Sequence, residues 1–211
     1  MKLQIAIDKG NVNDIIKLVE EVHDIVDIVE IGTSVVIREG IHLVGKVKDL
    51  FPNLEVLADT KIVDGGKIIS TDSFSAGADI VTVLAMAEDA TICDVVKVSA
   101  QYGRACMADL IGIEDIESRA RQLLDLGVDY VSVHTGVDVQ KSSRTPLGDL
   151  KRLVNAIPPE RAAVAGGIGP DELSDYIKLR PAIIIVGGAL ANAADARQVA
   201  IDMKTAMTLK G

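Results

Sequence analysis

Within the stretch ADTKIVDGG, residues 58–66, one ammonium group lies among three carboxylate and hydroxyl side chains. Asp59 and Lys61 are two residues apart, so on an extended chain they share a face. Asp64 follows at the turn into a helical pattern. A lysine flanked by carboxylates stays charged and fixed. In that state it is a donor for an enolate or enediolate oxygen rather than a free amine for a Schiff base. Glu30 and Asp59 end neighbouring strand patterns. Two hard oxygen ligands with room for water and substrate oxygens make an open Mg²⁺ (or Mn²⁺) site. His134 shares the parity of Ser132 at another strand end and precedes Thr135-Gly136. A neutral imidazole there can shuttle a proton near neutral pH. The other two histidines, His23 and His42, fall in helical patterns and read as surface groups.

Two glycine pairs add a second kind of chemistry. Gly166-Gly167 follows a strand pattern and leads through Ile168-Gly169-Pro170 into a helix, and Gly187-Gly188 follows the last strand pattern. Glycine lets backbone N–H groups approach phosphate oxygens, and a helix start adds favourable partial charge. A (β/α)₈ barrel holds phosphate at the ends of its last two strands.

These residues need elements to position them. Short β-branched runs alternate with amphipathic segments, with no linker between them. Strands are expected over residues 3–7, 28–31, 54–58, 80–84, 105–108, 130–133, 162–165 and 182–186. Helices are expected over 12–22, 35–50, 66–76, 90–101, 113–126, 147–156, 170–179 and 193–209. The apolar content is 48% of 211 residues, with 2% aromatics and no Trp, which suits parallel strands covered by helices. Residues 1–211 are therefore read as a single α/β domain, a (β/α)₈ TIM barrel, with an open doubly wound sheet as the competing topology. Polar placement decides for the barrel. Gln4, Ala6 and Asp8 share one parity, as do Ile28 and Glu30, then Leu57, Asp59 and Lys61. Ala105, Met107 and Asp109 form another series, and Tyr130, Ser132 and His134 the last. Each series ends in an ionisable group at the same rim, and charge gathered in a narrow mouth is costly unless it is paired or holds a ligand.

The formal net charge of -9 repels a phosphate backbone, so nucleic acid is excluded as a partner. No apolar run approaches bilayer-spanning length, and MKLQIAIDKG reads as a strand, not a secretory leader; a cytoplasmic location is expected, with no membrane partner. Cys93 and Cys106 have neither pairing nor metal-ligand spacing and read as reduced thiols.

Taken together, the residues resemble the orotidine 5′-monophosphate decarboxylase superfamily over essentially the whole chain. Its D-x-K-x-x-D motif is matched by Asp59, Lys61 and Asp64. Within it the chain resembles the branch of 3-hexulose-6-phosphate synthases. It shares QIAID near the start, VEIGT at 29–33, VLADTKIVDGG, GADIVTVL, VHTGVD at 133–138, VAGGI at 164–168 and IIVGGA at 184–189. The resemblance implies a metal-dependent aldolase, a carbon–carbon lyase that condenses formaldehyde with ribulose 5-phosphate, reversibly, through a 1,2-enediolate. It further implies Glu30 and Asp59 as Mg²⁺ ligands, Lys61 as the enediolate donor and His134 as the proton carrier. Asp8 and Asp109 would position substrate hydroxyls, and Gly166, Gly167, Gly187 and Gly188 would grip the phosphate. Asp64 would reach the neighbouring subunit's site, which implies a homodimer. The nearest rival is the 3-keto-L-gulonate-6-phosphate decarboxylase branch. Against its pattern this chain has Val137 for Arg, Asp109 for Glu, and Gly187-Gly188 for Gly-Arg. Loss of an active-site Arg that could steer CO₂ departure favours the aldolase. Lys141-Ser142-Ser143 departs from the small residues of the synthases, in a loop expected to close over substrate. A non-catalytic phosphate-binding barrel is disfavoured, because it would have no use for so charged a rim.

Overall fold

The first strand, β1 (Lys2–Ile7), alternates side chains of opposite destiny: Leu3, Ile5 and Ile7 pack outward under helices, while Gln4 and Ala6 face the barrel axis. The same alternation runs through every strand of the computed structural model, which describes residues 1–136 and 145–209. In chain order the elements are β1, α1 (Val12–Val22), β2 (Ile28–Ile31), α2 (Thr33–Glu39), α3 (His42–Leu50) and β3 (Glu55–Ile62). Next come α4 (Gly66–Ser75), β4 (Ile80–Leu84), α5 (Asp89–Tyr102), β5 (Ala105–Asp109), α6 (Ile116–Asp125) and β6 (Tyr130–His134). The chain ends with α7 (Pro146–Ala156), β7 (Ala162–Ala165), α8 (Leu173–Ile177), β8 (Ile183–Val186), α9 (Gly188–Ala191) and α10 (Ala196–Leu209). All strand pairs are parallel, and β1 pairs with β8 through Lys2↔Ile183, so the sheet closes in strand order. This is the (β/α)₈ barrel and not the open sheet.

Two apolar shells follow from closure. The axis is plugged by Ala6, Ile28, Leu57, Ile80, Met107, Ala163, Ile183 and their neighbours. The outer shell, including Leu3, Ile5, Val29, Val56, Val81 and Cys106, packs against the helices. At the N-terminal edge, register is pinned by a repeated device. Asp27, Asp79 and Asp129 each precede an even-numbered strand and accept a backbone N–H from the strand before: Leu3 at 2.7 Å, Val56 at 2.9 Å and Cys106 at 2.9 Å. A one-residue slip would reverse the facing of every side chain beyond it, so these clamps also aim the far rim.

Several boundaries differ from those the periodicity predicts. The expected helix over 35–50 is two helices, α2 and α3, parted at Gly40, whose φ of 80° ends the first. The helix expected from 113 starts at Ile116, because Asp115 caps it by accepting the Ser118 N–H. The helix expected over 170–179 is only Leu173–Ile177, and that over 193–209 begins at Ala196, with the separate turn α9 before it. Strand β3 runs beyond 58 to Ile62, carrying Asp59 and Lys61 within it. Among the described residues no helix is long and apolar enough to cross a membrane.

Candidate active site

The rim is organised around an irregularity in β3. Ala58 pairs with Val81 and Ile62 with Val83, so Asp59, Thr60 and Lys61 all face the single residue Thr82 of β4. Such a bulge re-aims side chains, and here it turns two successive functional groups into the mouth. Lys61 has φ of 44°, a left-handed conformation that non-glycine residues rarely adopt.

Asp59 is 4% exposed, and both its oxygens are engaged. Oδ2 accepts from Lys61 Nζ at 2.5 Å and from Thr33 Oγ1 at 2.7 Å, while Oδ1 accepts from Thr82 Oγ1 at 2.7 Å. Burial alone would raise its pKa, but the Lys61 charge and these donors hold the carboxyl below the usual range. Burial likewise opposes the charge on Lys61; Asp59, Asp109 and Glu30 outweigh it and raise the ammonium's pKa. Lys61 is therefore cationic throughout the working range, with Nζ 3.8 Å from Asp109 Oδ2.

Asp109 ends β5, buried, and links the lysine to the histidine. Its Oδ1 accepts the Ile111 N–H at 2.8 Å and its Oδ2 lies 2.8 Å from His134 Nδ1. A carboxylate only accepts, so pairing with an ionised Asp109 makes Nδ1 the donor, and a neutral ring in that tautomer has its lone pair on Nε2. Glu30, at the end of β2, accepts from Gln4 Nε2 at 2.6 Å. Burial first, then the nearby Asp59 charge, lifts its pKa well above the ordinary value of 4.5. Asp8 follows β1 at the mouth; burial and then Asp59 raise it as well. Its carboxylate lies so close to Gly32 that a Cβ there would collide with Oδ1.

The glycine pairs end neighbouring strands, β7 and β8, on the same rim. Gly166 has φ of 114°, and a Cβ on it would lie 2.6 Å from the Thr135 carbonyl oxygen, so no other residue fits. Gly187 immediately precedes the turn α9, which Gly188 begins. Asp64 is placed apart from the cluster: it is exposed, and its Oδ1 accepts the Gly65 N–H at 2.7 Å. Exposed Val63 and Ile68, 54% and 69%, flank it. Val137 and Lys141-Ser142-Ser143 lie outside the described residues. His23 and His42 are exposed and remote from the cluster. A cavity of about 740 Å³ opens at the opposite end of the barrel, but its Lys2 and Lys204 are already paired with Glu55 and Asp27.

The structure thus brings together Asp8, Glu30, Asp59, Lys61, Asp109 and His134. Sequence reading passed over Thr33 and Thr82 and assigned Gln4 no role, although Thr82 shares the inward parity of Ile80. The signal was there but carried no charge.

Glu30 and Asp59 suit a divalent cation on physical grounds. They are two carboxylates close enough to oppose each other's ionisation, and a cation between them removes that repulsion. Among the described residues no group of three or more His, Cys, Asp or Glu is arranged to hold a metal. A cation here would complete its shell with water or substrate oxygens.

One consequence is measurable without substrate. Between pH 4.5 and the raised Glu30 pKa the folded chain keeps a proton that the unfolded chain releases, so stability falls as pH rises through that window. In chelator, Glu30→Gln is expected to melt about 2–4 °C or more above wild type at pH 8, the shift that ~1 kcal/mol produces in a domain of this size. Melting scans from pH 4 to 8 check it; parallel curves would contradict the burial of charge on Glu30.

These features mark a (β/α)₈-barrel enzyme with a lysine–carboxylate–histidine centre. Residues 1–203 match the orotidine 5′-phosphate decarboxylase / HUMPS family, and the chain belongs to that family. Among its relatives, the 3-hexulose-6-phosphate synthase of Bacillus subtilis (strain 168) is 43% identical over 204 residues, covering 97% of each chain. The 3-hexulose-6-phosphate synthase 2 of Staphylococcus saprophyticus is 45% identical over 195 residues, covering 92% of each. The crystal structure of 3-hexulose-6-phosphate synthase from Salmonella typhimurium superposes with a TM-score of 0.96, at 38% identity and full coverage of both chains. A crystal structure of KGPDC from Streptococcus mutans gives 0.90 at 26% identity, covering 99% of this chain and 97% of its own.

Proposed function

We propose that this chain is a 3-hexulose-6-phosphate synthase, a lyase that condenses formaldehyde with ribulose 5-phosphate and runs the reverse cleavage. The observation that carries the reading is the convergence of Lys61, Asp109 and His134 across β3, β5 and β6, in a chain 43% identical to a synthase over nearly its full length. The backbone at Gly166, Gly167, Gly187 and Gly188 takes the phosphate, and Asp8 and Asp109 orient sugar hydroxyls. His134 Nε2 removes a proton from C1, beside the C2 carbonyl. Lys61 donates to the oxygen that becomes negative, stabilising the 1,2-enediolate. C1 then bonds to the formaldehyde carbon, and the proton held by His134 returns to the new alkoxide. Glu30 and Asp59 would hold Mg²⁺ or Mn²⁺, which supplies Lewis-acid polarisation of the substrate oxygens.

The exposed apolar residues flanking Asp64 support a homodimer in which that carboxylate serves the neighbouring site. Cys93 and Cys106 are both free thiols, which supports a reducing, cytoplasmic setting.

The test is a paired assay. With Mg²⁺, ribulose 5-phosphate and formaldehyde, aldehyde should be consumed at an ordinary enzymatic rate; with 3-keto-L-gulonate 6-phosphate, CO₂ release should be weak or absent. Dominant CO₂ release would assign the chain to the decarboxylase branch instead.

A further inference from the structure

The bulge in β3 creates a difficulty that one side chain resolves. Three residues, Asp59, Thr60 and Lys61, face one, so the regular ladder cannot satisfy their backbone groups. Thr82 stands at that point, 4% exposed and bonded through each of its polar ends. Its Oγ1 accepts the Lys61 backbone N–H at 2.9 Å and donates to Asp59 Oδ1 at 2.7 Å. Its carbonyl oxygen accepts from Thr60 Oγ1 at 3.3 Å. A left-handed non-glycine residue persists only where its surroundings over-determine it. For Lys61 that restraint includes the Thr82 hydroxyl.

We propose that Thr82 is a positioning residue for the reaction: its hydroxyl locks the β3 bulge and thereby sets the Lys61 ammonium and the Asp59 carboxylate in the mouth together. The hydroxyl has one proton and two lone pairs. Donating to Asp59 while accepting from Lys61 uses both functions at once, which neither valine nor alanine can do. Thr33 holds Asp59 from the other side at 2.7 Å but does not touch the Lys61 backbone, so it cannot substitute. The inference rests on Lys61 acting in the proposed reaction.

Thr82→Val preserves shape and deletes the hydroxyl; Thr82→Ser keeps the hydroxyl and deletes the methyl. Thr82→Val is expected to lower kcat about 10- to 100-fold, the effect of a small misplacement of a reacting group, with KM for ribulose 5-phosphate within about 2-fold of wild type. The phosphate grip on β7 and β8 is untouched. Thr82→Ser is expected to recover most of kcat. Rates are taken per folded molecule, with the folded fraction measured by circular dichroism. A purely structural role predicts lower folded yield with unchanged kcat, and that result overturns the proposal. So does an equal loss in Thr82→Ser, which would assign the effect to the methyl. If Lys61→Ala loses activity and Thr82→Val keeps it, this inference alone fails; if Lys61→Ala is fully active, the proposed reaction fails with it.

Discussion

Lys61→Ala is expected to reduce kcat by about 10³-fold or more, because the variant loses the ammonium that pairs with both Asp59 and Asp109 in the mouth. Removing one preorganised donor to a developing oxyanion typically accounts for about 10²–10³, and Lys61 also neutralises its surroundings. Asp59, Glu30 and Asp109 all raise its pKa, so its loss leaves those carboxylates opposing one another in a buried mouth. Asp59 would then take up a proton more readily, weakening any cation site it shares with Glu30. Steady-state rates under saturating substrate and Mg²⁺ check the first effect. Retained turnover would remove Lys61 from the mechanism. The same variant tests the dimer. Lys61→Ala and Asp64→Ala should each be inactive alone, yet after mixing and subunit exchange about a quarter of the sites should be intact, as two-fold pairing of complementary defects requires. Recovery of nothing would confine Asp64 to its own barrel.

Asp109→Asn is the second large effect, with an expected loss in kcat of about 10²–10³-fold, within the range that general acid–base catalysis contributes. The substitution is nearly isosteric. Its consequence is a change of proton: an ionised Asp109 can only accept from His134 Nδ1, whereas an amide NH₂ can donate to it. The ring would then carry its proton on Nε2 and present no lone pair to the C1 proton. Exchange of the ribulose 5-phosphate C1 hydrogen in D₂O, without formaldehyde, isolates this step and should slow in parallel with kcat. Nitrogen NMR of His134 should report the altered tautomer. Unchanged exchange would separate His134 from proton transfer. Because Asp109 also accepts the Ile111 N–H at 2.8 Å, a modest fall in melting temperature is expected too.

Most of the barrel was legible because its signals are local. β-branched runs and helical periodicity depend only on neighbours in sequence, and all eight strands fell near their expected positions. Parity is legible for the same reason: a period of two is a property of extended chain, so residue spacing alone puts Glu30, Asp59, Asp109 and His134 on one rim. Helix ends were read less well. Gly40 sits inside an apolar pattern that looks continuous, and only its positive φ divides α2 from α3. The reading of β3 as ending at 58 failed where the strand departs from the regular ladder.

Residue order alone settles which groups exist, that they end strands of one parity, and that a glycine turn follows each of the last two. Those are consequences of residue type and local geometry. How the groups meet was settled by packing in three dimensions. Thr82 opposes three residues of β3 because the β3–β4 register shifts there, and register is a property of two strands side by side. Asp109 stands between Lys61 and His134 because closure brings β3, β5 and β6 around one axis. Charge on Glu30 is opposed because burial and Asp59 act together in a space that no single strand encloses.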